Sequence, residues 1–483
     1  GARDFLARAF SDAAGRAPSE RRGVRAGRIA IDRPGRELLE SSAVVVSNEI
    51  IEVRFTVELP VRRGRIPSDM VSELFLATIP AVIRSSLIFK NVDGERLADF
   101  IETNERADMI RAQLEERGLV AFIADGSVLP GKWREGETLT PFHAPEELAV
   151  TFDLPNGRTV RGMGIPKGIT LVAGGTGSGK STLLRAIELG VYNHIPGDGR
   201  ELAVTIADAV GVRTEEGRRI ENVDVSPFFD PAGGVDTRRY CARWASSSFS
   251  YAANVMEALE IGASILVIDD DMTPAGLVTR DARIQALVPS DSEPAATLID
   301  LLPAFRDDLG VSSVIAVNSG DFFDIADTVI LMEGFLPGDA TTRAKVISGE
   351  PKSKRTPKRL KISAPTPRTP LANSLEPEKN TAGESLRPQG KGFIQYGDEF
   401  IDCSRLPQLA SGSQERAIAR GIALVYRLMD SSASLEEAVG KVMERVRTVG
   451  LDTLSGRLMG DLAMFRAHEL AAAVNRMKNL KVK

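Results

Sequence analysis

The sequence predicts an α/β core between two smaller domains, and three observations carry that prediction. The stretch "GITLVAGGTGSGKSTLLRAIELG" sets an apolar run, a glycine-rich loop and a helical run in succession. "ASILVIDDD" and "VSSVIAVNSGD" are short apolar runs bounded by turns, with helical patterning between them, as a parallel sheet buried on both faces requires. From about residue 342 to 392 the composition shifts to Pro, Ser, Thr and Lys without periodicity, which marks a flexible or extended linker before a helical C-terminal part.

The elements follow in order. Residues 1–20 read as a short helix, followed by an Arg-rich loop. "SAVVVSN" and "IIEVRFTVELP" have the β-branched, partly alternating pattern of paired strands. "PSDMVSELFLATIPAVIRSSLIF" places apolar residues at helical steps, and "ERLADFIETNERADMIRAQLEERG" ends on Gly118 after a basic residue, as a helix stop does. "LVAFIADGSVLP" returns to strand, and "LAVTFDLPNGRTVRGMGIPKGITLVAGG" reads as two strands turned at "PNG" and a third that feeds the glycine-rich loop. "TVILMEG" predicts one more strand, and the segments after residue 411 are strongly helical. The expected organisation is an N-terminal α+β domain over 1–145, an α/β domain that carries the glycine-rich loop over 146–341, a basic linker over 342–392 and a mainly helical domain over 393–483.

Composition narrows the classes. A chain of 483 residues with 43% hydrophobic content can bury several cores, and a formal net charge of -5 puts any nucleic-acid site in local patches. No apolar run reaches the roughly 18 residues that span a bilayer, so no membrane partner is expected. Cys241 and Cys403 make neither a disulfide framework nor a zinc pattern, and they fit a reducing compartment. The expected location is soluble and intracellular.

Gly174, four residues, then Gly179-Lys180-Ser181 is the P-loop pattern. The loop Gly174, Gly175, Thr176, Gly177, Ser178, Gly179, Lys180, Ser181 and Thr182 turns successive N–H groups toward phosphates, and the helix that follows adds its positive end. Lys180 reaches the outer phosphates of ATP and Ser181 ligates Mg²⁺. A second carboxylate must come from the end of an apolar strand: in "ILVIDDD", Asp269 fits the metal-linked position and Asp270 the place of a base that orients water. Ahead of that strand, Ser246, Ser247 and Ser248 open a helix, which suits either an anion site or an ordinary N-cap.

Together these segments resemble one family, the predicted ATPases of the ABC class. The likeness is carried by "GLVAFIADGSVLP", "GMGIPKGITLVAGGTGSGKSTLLRAIELGVYNHIPGDGRE", "DVSPFF", "SSSFSYAANVMEALEIGASILVIDDD", "RDARIQALV", "SGDFFDIADTVI" and "SQERAIARGIAL". It implies an ABC-type P-loop core, ATP and Mg²⁺ as cofactors, Ser246–Ser248 in the place of the signature loop, and Asn318 or Ser319 in the place of the switch histidine. The family includes a trypanosomal mitochondrial RNA-editing accessory member, which implies a single-stranded RNA partner and, if the likeness extends that far, the mitochondrial matrix. Two departures stand out: Asp270 replaces the family's usual Glu, and serines replace the signature glycines. Binding with slow hydrolysis follows, because the base is one methylene short.

One P-loop and one signature-like segment per chain imply a homodimer. For RNA, the candidates are Arg62, Arg63 and Arg65 at a strand turn and Lys354, Arg355, Lys358 and Arg359 in the linker, beside an N-terminal cluster from Arg21 to Arg36. Basic runs are also ordinary solvated loops. An ATPase that remodels or scaffolds a protein complex is therefore the alternative, and a small-molecule kinase the third reading. His194 and Asp198, in "NHIPGDG", suit either the nucleotide site or a structural turn.

Overall fold

The computed structural model describes all residues except 18–19, 22–23, 26, 62–63, 131–138, 155–156, 232–233, 289–292, 294, 350–357, 359, 378–385, 389–391 and 431. Its centre is a six-stranded sheet. In chain order the relevant elements are α1 (Ala2–Gly15), α2 (Gly94–Leu114), β1 (Leu119–Ala124), β2 (Ala149–Asp153), β3 (Thr159–Pro166), β4 (Ile169–Gly174), α3 (Lys180–Leu189), β5 (Ala203–Thr205), β6 (Ala209–Val212), α4 (Ser247–Glu260), β7 (Ile265–Asp269), α5 (Leu298–Leu309), β8 (Ser312–Ala316), β9 (Thr328–Glu333) and β10 (Leu336–Asp339). The central sheet has the order β6-β7-β8-β4-β9-β10, parallel except for β10.

The two-residue period of a strand explains the continuous apolar runs. In β7, Leu266 and Ile268 pack in the same cluster as Tyr251 and Val255 of α4 and Leu302 and Phe305 of α5. Ile265 and Val267 pack on the opposite face with Leu183, Leu184 and Ile187 of α3. That second face is closed by an antiparallel sheet of order β5-β1-β3-β2, which contributes Val120, Ile123, Met163 and Ile165. The molecule thus has a layer of helices, a sheet, and a mixed layer of α3 and four short strands.

The expected boundary at residue 145 falls after β1, which this sheet joins to later strands. β1 pairs with β3 and with β5, so residues 119–124 belong to the layer that covers the P-loop strand. A hydrophobic run at the strand period does not say which partner it pairs with, and here the partners lie downstream. The N-terminal unit is built from α1, short hairpins and a helix over residues 68–86, whose middle turn, Leu74–Thr78, is a π-helix.

Part of the linker is described, and it begins with a helix, Thr341–Gly349. Beyond it the chain runs extended and docked: the Lys358 amide donates to Asp300 (2.8 Å) and the Ile362 amide to Asp308 (2.9 Å), both on α5. Arg368 is buried and grips Glu260 at the end of α4 through its amide, Nε and Nη2 (2.7, 2.8 and 2.5 Å).

The C-terminal unit packs α6 (Gly412–Leu428), α7 (Leu435–Val449) and α8 (Ala467–Asn475) around one core, with capping boxes at Ser411/Gln414 and Ser434/Glu437. It covers the exposed edge of the central sheet. Gln408 donates to the carbonyls of Glu188 (3.0 Å) and Ala209 (2.8 Å) and accepts from the Gly211 amide (3.1 Å), while Arg466 donates to the carbonyls of Ala207 and Ala209. Side chains here satisfy the backbone groups that an edge strand leaves open. Among the described residues no helix is long and apolar enough to cross a membrane.

Candidate nucleotide site

β4 ends in Gly174 and α3 begins at Lys180, so the glycine-rich loop spans the gap between a strand and a helix N-terminus. Two glycines there are obligatory. Gly174 (φ 147°) and Gly179 (φ 107°) both lie in backbone regions that L side chains avoid. A Cβ on Gly174 would sit 2.5 Å from the Met332 carbonyl, and one on Gly179 would sit 2.9 Å from the Phe335 ring. Gly175, Thr176 and Gly177 form an exposed tip, Ser181 is exposed, and Thr182 is half-buried.

Lys180 is buried, and its ammonium lies on the loop's own carbonyls, 2.6 Å from Gly174 O and 3.4 Å from Gly175 O. Within the same loop the Ser178 hydroxyl is buried without a hydrogen-bond partner. Such an orphan is costly unless a ligand satisfies it. A cradle of backbone amides, a cation folded onto the loop and an unsatisfied hydroxyl are what a phosphate-binding loop presents, so the residues fit a nucleotide.

The acidic side is assembled by β7 and β8, on one flank of β4. Carboxylate oxygens of Asp269, Asp270 and Asp271 lie within 4.8 Å of one another. Burial, and then the neighbouring Asp271 and Asp269, raise the Asp270 carboxyl above the ordinary range, while the Asn318 amide and Lys180 pull against that rise. Lys180 and Asp270 therefore share one electrostatic site. Asn318 clamps Asp270 at both oxygens: its backbone amide donates to Oδ2 (2.6 Å) and its side-chain amide to Oδ1 (2.8 Å), with a further contact to Asp271 (3.1 Å). Ser319 faces elsewhere and caps the short helix Gly320–Asp324 through the Asp321 amide. Three adjacent carboxylates suit a hard divalent cation with oxygen ligands.

Ser246 is the N-cap of α4 with no side-chain cap bond, and Ser247 donates to Glu216 (3.1 Å). Among the described residues no hydrogen bond or ion pair joins Ser246–Ser248 to the Gly174–Ser181 loop. His194 and Asp198 lie at the other end of α3, both buried, with Nδ1 of His194 2.8 Å from Asp198. Burial alone would raise the Asp198 carboxyl, but His194, Arg200 and Arg36 outweigh it and hold it below the usual range. The pair is a structural lock: Asn193–His194 pairs with Glu37–Leu38 and ties the N-terminal unit to the core.

The sequence reading did not find Phe335. It follows Gly334 at the β9–β10 turn, has φ 68°, donates its amide to Ser178 O (2.9 Å) and lays its ring against Gly179. "MEGFLPGD" signals a turn, but nothing local says that the turn leans on the loop.

Most of the RNA candidates fall outside what the structure describes. Arg62, Arg63, Lys354, Arg355 and Arg359 lie outside the described residues, as do the side chains of Arg21, Arg22 and Arg25. Arg65 is exposed. Lys358 pairs with Asp230 (3.5 Å), Arg33 with Asp12 (3.0 Å) and Arg36 with Asp198 (3.1 Å). Cys241 is exposed, Cys403 is buried, and both are free thiols.

Comparison with known proteins supplies the family. Residues 93–367 match the P-loop domain of the ABC ATPase family, residues 1–90 the N-terminal domain of ATPases of the ABC class, and residues 386–483 the MRB1590 C-terminal domain. An uncharacterized protein of Methanocaldococcus jannaschii, MJ1628, is 30% identical over 244 residues, covering 48% of this chain and 53% of that protein. The chain thus spans about half the length of the curated relative it matches. Among solved structures, cbiO1 of Clostridium perfringens, part of an ABC transporter complex, aligns at 13% identity over 46% of this chain and 87% of that one, with TM-score 0.27. The ADP conformation of the MJ1267 ATP-binding cassette aligns at 14% over 49% and 97%, with TM-score 0.28, and a dimeric post-hydrolysis MJ0796 cassette at 10% over 45% and 96%, with TM-score 0.26. The P-loop match alone spans more than half of the chain, which therefore belongs to the ABC-class P-loop ATPase family.

Proposed function

We propose that this chain binds ATP with Mg²⁺, hydrolyses it slowly, and uses the bound state to close a homodimer that regulates binding of single-stranded RNA. The observation that supports it most is the two-point clamp of Asn318 on Asp270, in the same electrostatic site as Lys180. Ser181 and Asp269 would hold Mg²⁺, which supplies charge neutralisation to the phosphates. Lys180 leaves the loop carbonyls for the outer phosphates, and Asp270 accepts a hydrogen bond from the attacking water. Both Asp270 oxygens already accept from Asn318, and the side chain is one methylene shorter than Glu. Slow turnover is the consequence, because a base works only within hydrogen-bond reach of its proton.

Steady-state turnover of purified protein tests this. A rate of tens per second would contradict it, and Asp270→Glu is expected to accelerate hydrolysis at unchanged ATP affinity.

Dimer closure is the economical use of Ser246–Ser248, which among the described residues make no bond to their own loop. Sedimentation of Asp270→Asn with saturating ATP is expected to show a dimer; a persistent monomer at high concentration counts against closure. The RNA reading is supported by the basic residues and by the resemblance to an RNA-editing family member, with the mitochondrial matrix as the matching compartment. Pairing of Lys358, Arg33 and Arg36 with carboxylates favours the second reading, a complex-remodelling ATPase whose basic segments bind nothing. Filter binding of labelled RNA at several salt concentrations separates the two.

A further inference from the structure

The turn between β9 and β10 carries a residue that the turn itself disfavours. Glu333 pairs with Leu336, so Gly334 and Phe335 are the two central residues of a tight hairpin, with φ 57° and 68°. Hairpin turns with positive φ at both central positions take glycine at the second. Among the described residues the other non-glycine with positive φ is Asn222, whose short amide suits that region; a phenylalanine gains nothing from it. Burial does not account for the residue either, because Phe335 is 40% exposed. What holds it is the glycine-rich loop. Its amide donates to Ser178 O (2.9 Å), and its ring lies where a Cβ on Gly179 would meet it at 2.9 Å. A strained, partly open aromatic fixed to a ligand-binding loop is the kind of outlier that function retains.

We propose that Phe335 is the nucleobase platform of the site: the base of a nucleoside triphosphate, a purine above all, stacks on its ring. The inference rests on the nucleotide reading above and extends it from the phosphates to the base, through a residue outside the phosphate-loop pattern. Its place on the sheet carries the argument. β4 runs parallel to both β8 and β9, with Val172 opposite Ala316 and Gly174 opposite Met332, so the three strands end on one edge. Ligands of such sheets lie outside the carboxyl ends of the strands. Asp269–Asp271 and Asn318 stand on the β7–β8 flank of β4, and that flank takes the metal and the outer phosphates. A nucleoside triphosphate carries its phosphates at one end and its base at the other. The flank left for the base is that of β9, whose connection to β10 is the Gly334–Phe335 turn. A hydrocarbon ring has no hydrogen-bonding group, so it reads the size of a base's π-face and not its edge. Purines, with two fused rings, are therefore preferred to pyrimidines.

Calorimetric titration of the full chain with ATP, CTP and inorganic tripolyphosphate, each with Mg²⁺, separates a base platform from a turn that merely shapes the loop. Phe335→Leu keeps an apolar side chain beside Gly179 and lacks the π-face. It is expected to bind ATP about tenfold more weakly, to bring the ATP and CTP affinities together, and to bind tripolyphosphate as the wild type does. Phe335→Tyr is expected to restore both the ATP affinity and the preference for ATP over CTP. Equal melting temperatures without ligand show that the variants fold alike. If Phe335→Leu weakens all three ligands by the same factor, the residue only shapes the loop and the platform is overturned. It is equally overturned if Phe335→Leu binds ATP as the wild type does. Where tripolyphosphate binds too weakly to titrate, the ratio of ATP to CTP affinity decides alone. If none of the three ligands binds the wild type, the nucleotide reading itself falls.

Discussion

The two ends of α3 are built to opposite rules. At its N-terminus Lys180 lies on backbone carbonyls, the Ser178 hydroxyl has no hydrogen-bond partner among the described residues, three carboxylates crowd together, and Phe335 holds a strained backbone angle. About 15 Å away, at its C-terminus, Glu188 pairs with both Arg185 and Arg213, Gln408 makes three hydrogen bonds, and Asp198 is bound by His194, Arg200 and Arg36. Unsatisfied and strained groups persist where a ligand completes them, and the surrounding structure must over-determine them. The closed end supplies that rigidity for the open one.

The largest expected effect breaks the closed side. Arg368→Ala leaves Glu260, 7% exposed, without its partner, and should cost about 3–5 kcal/mol in denaturant unfolding. An unchanged midpoint would mean that the strap is dispensable. Next is the open side: Lys180→Ala should weaken ATP binding by about 3 kcal/mol, over a hundredfold, with no loss of unfolding stability. Calorimetric titration and melting together check that pairing of outcomes.

A pH test sharpens the contrast. Burial, aided by Arg466, pushes the His468 imidazole down to about 4 at the C-terminal interface, where its Nε2 has no partner. The unfolded chain protonates near 6.5, so it binds more protons than the folded one between those values. The contribution is full above about pH 6.5 and is lost as pH falls toward 4, by about 3 kcal/mol at most. His468→Gln should flatten that window. The smallest effect is at the turn: Phe335→Gly relieves a positive φ and should stabilise the ligand-free protein by about 1 kcal/mol while weakening ATP binding.

What was legible in the sequence follows the range of the physics. The P-loop was readable because phosphate binding forces glycines, Lys180 and Ser181 into one short stretch. Asp269 and Asp270 were readable from the apolar strand before them. Asn318 was named for its place, but its double bond to Asp270 depends on β8 lying beside β7, which is a pairing choice. The pairing of β1 has the same origin, since it finds its partners downstream. Phe335, Gln408 and Arg466 act on backbone groups far away in sequence, and no local pattern announces that.

The account's central claim is that nucleotide at the open end controls RNA. The direct measurement is equilibrium binding of a single-stranded RNA to wild type and Lys180→Ala, each with and without ATP and Mg²⁺. The account predicts that ATP shifts RNA affinity in the wild type and leaves it unchanged in Lys180→Ala. Equal RNA affinity in all four conditions, or no RNA binding at all, would contradict it.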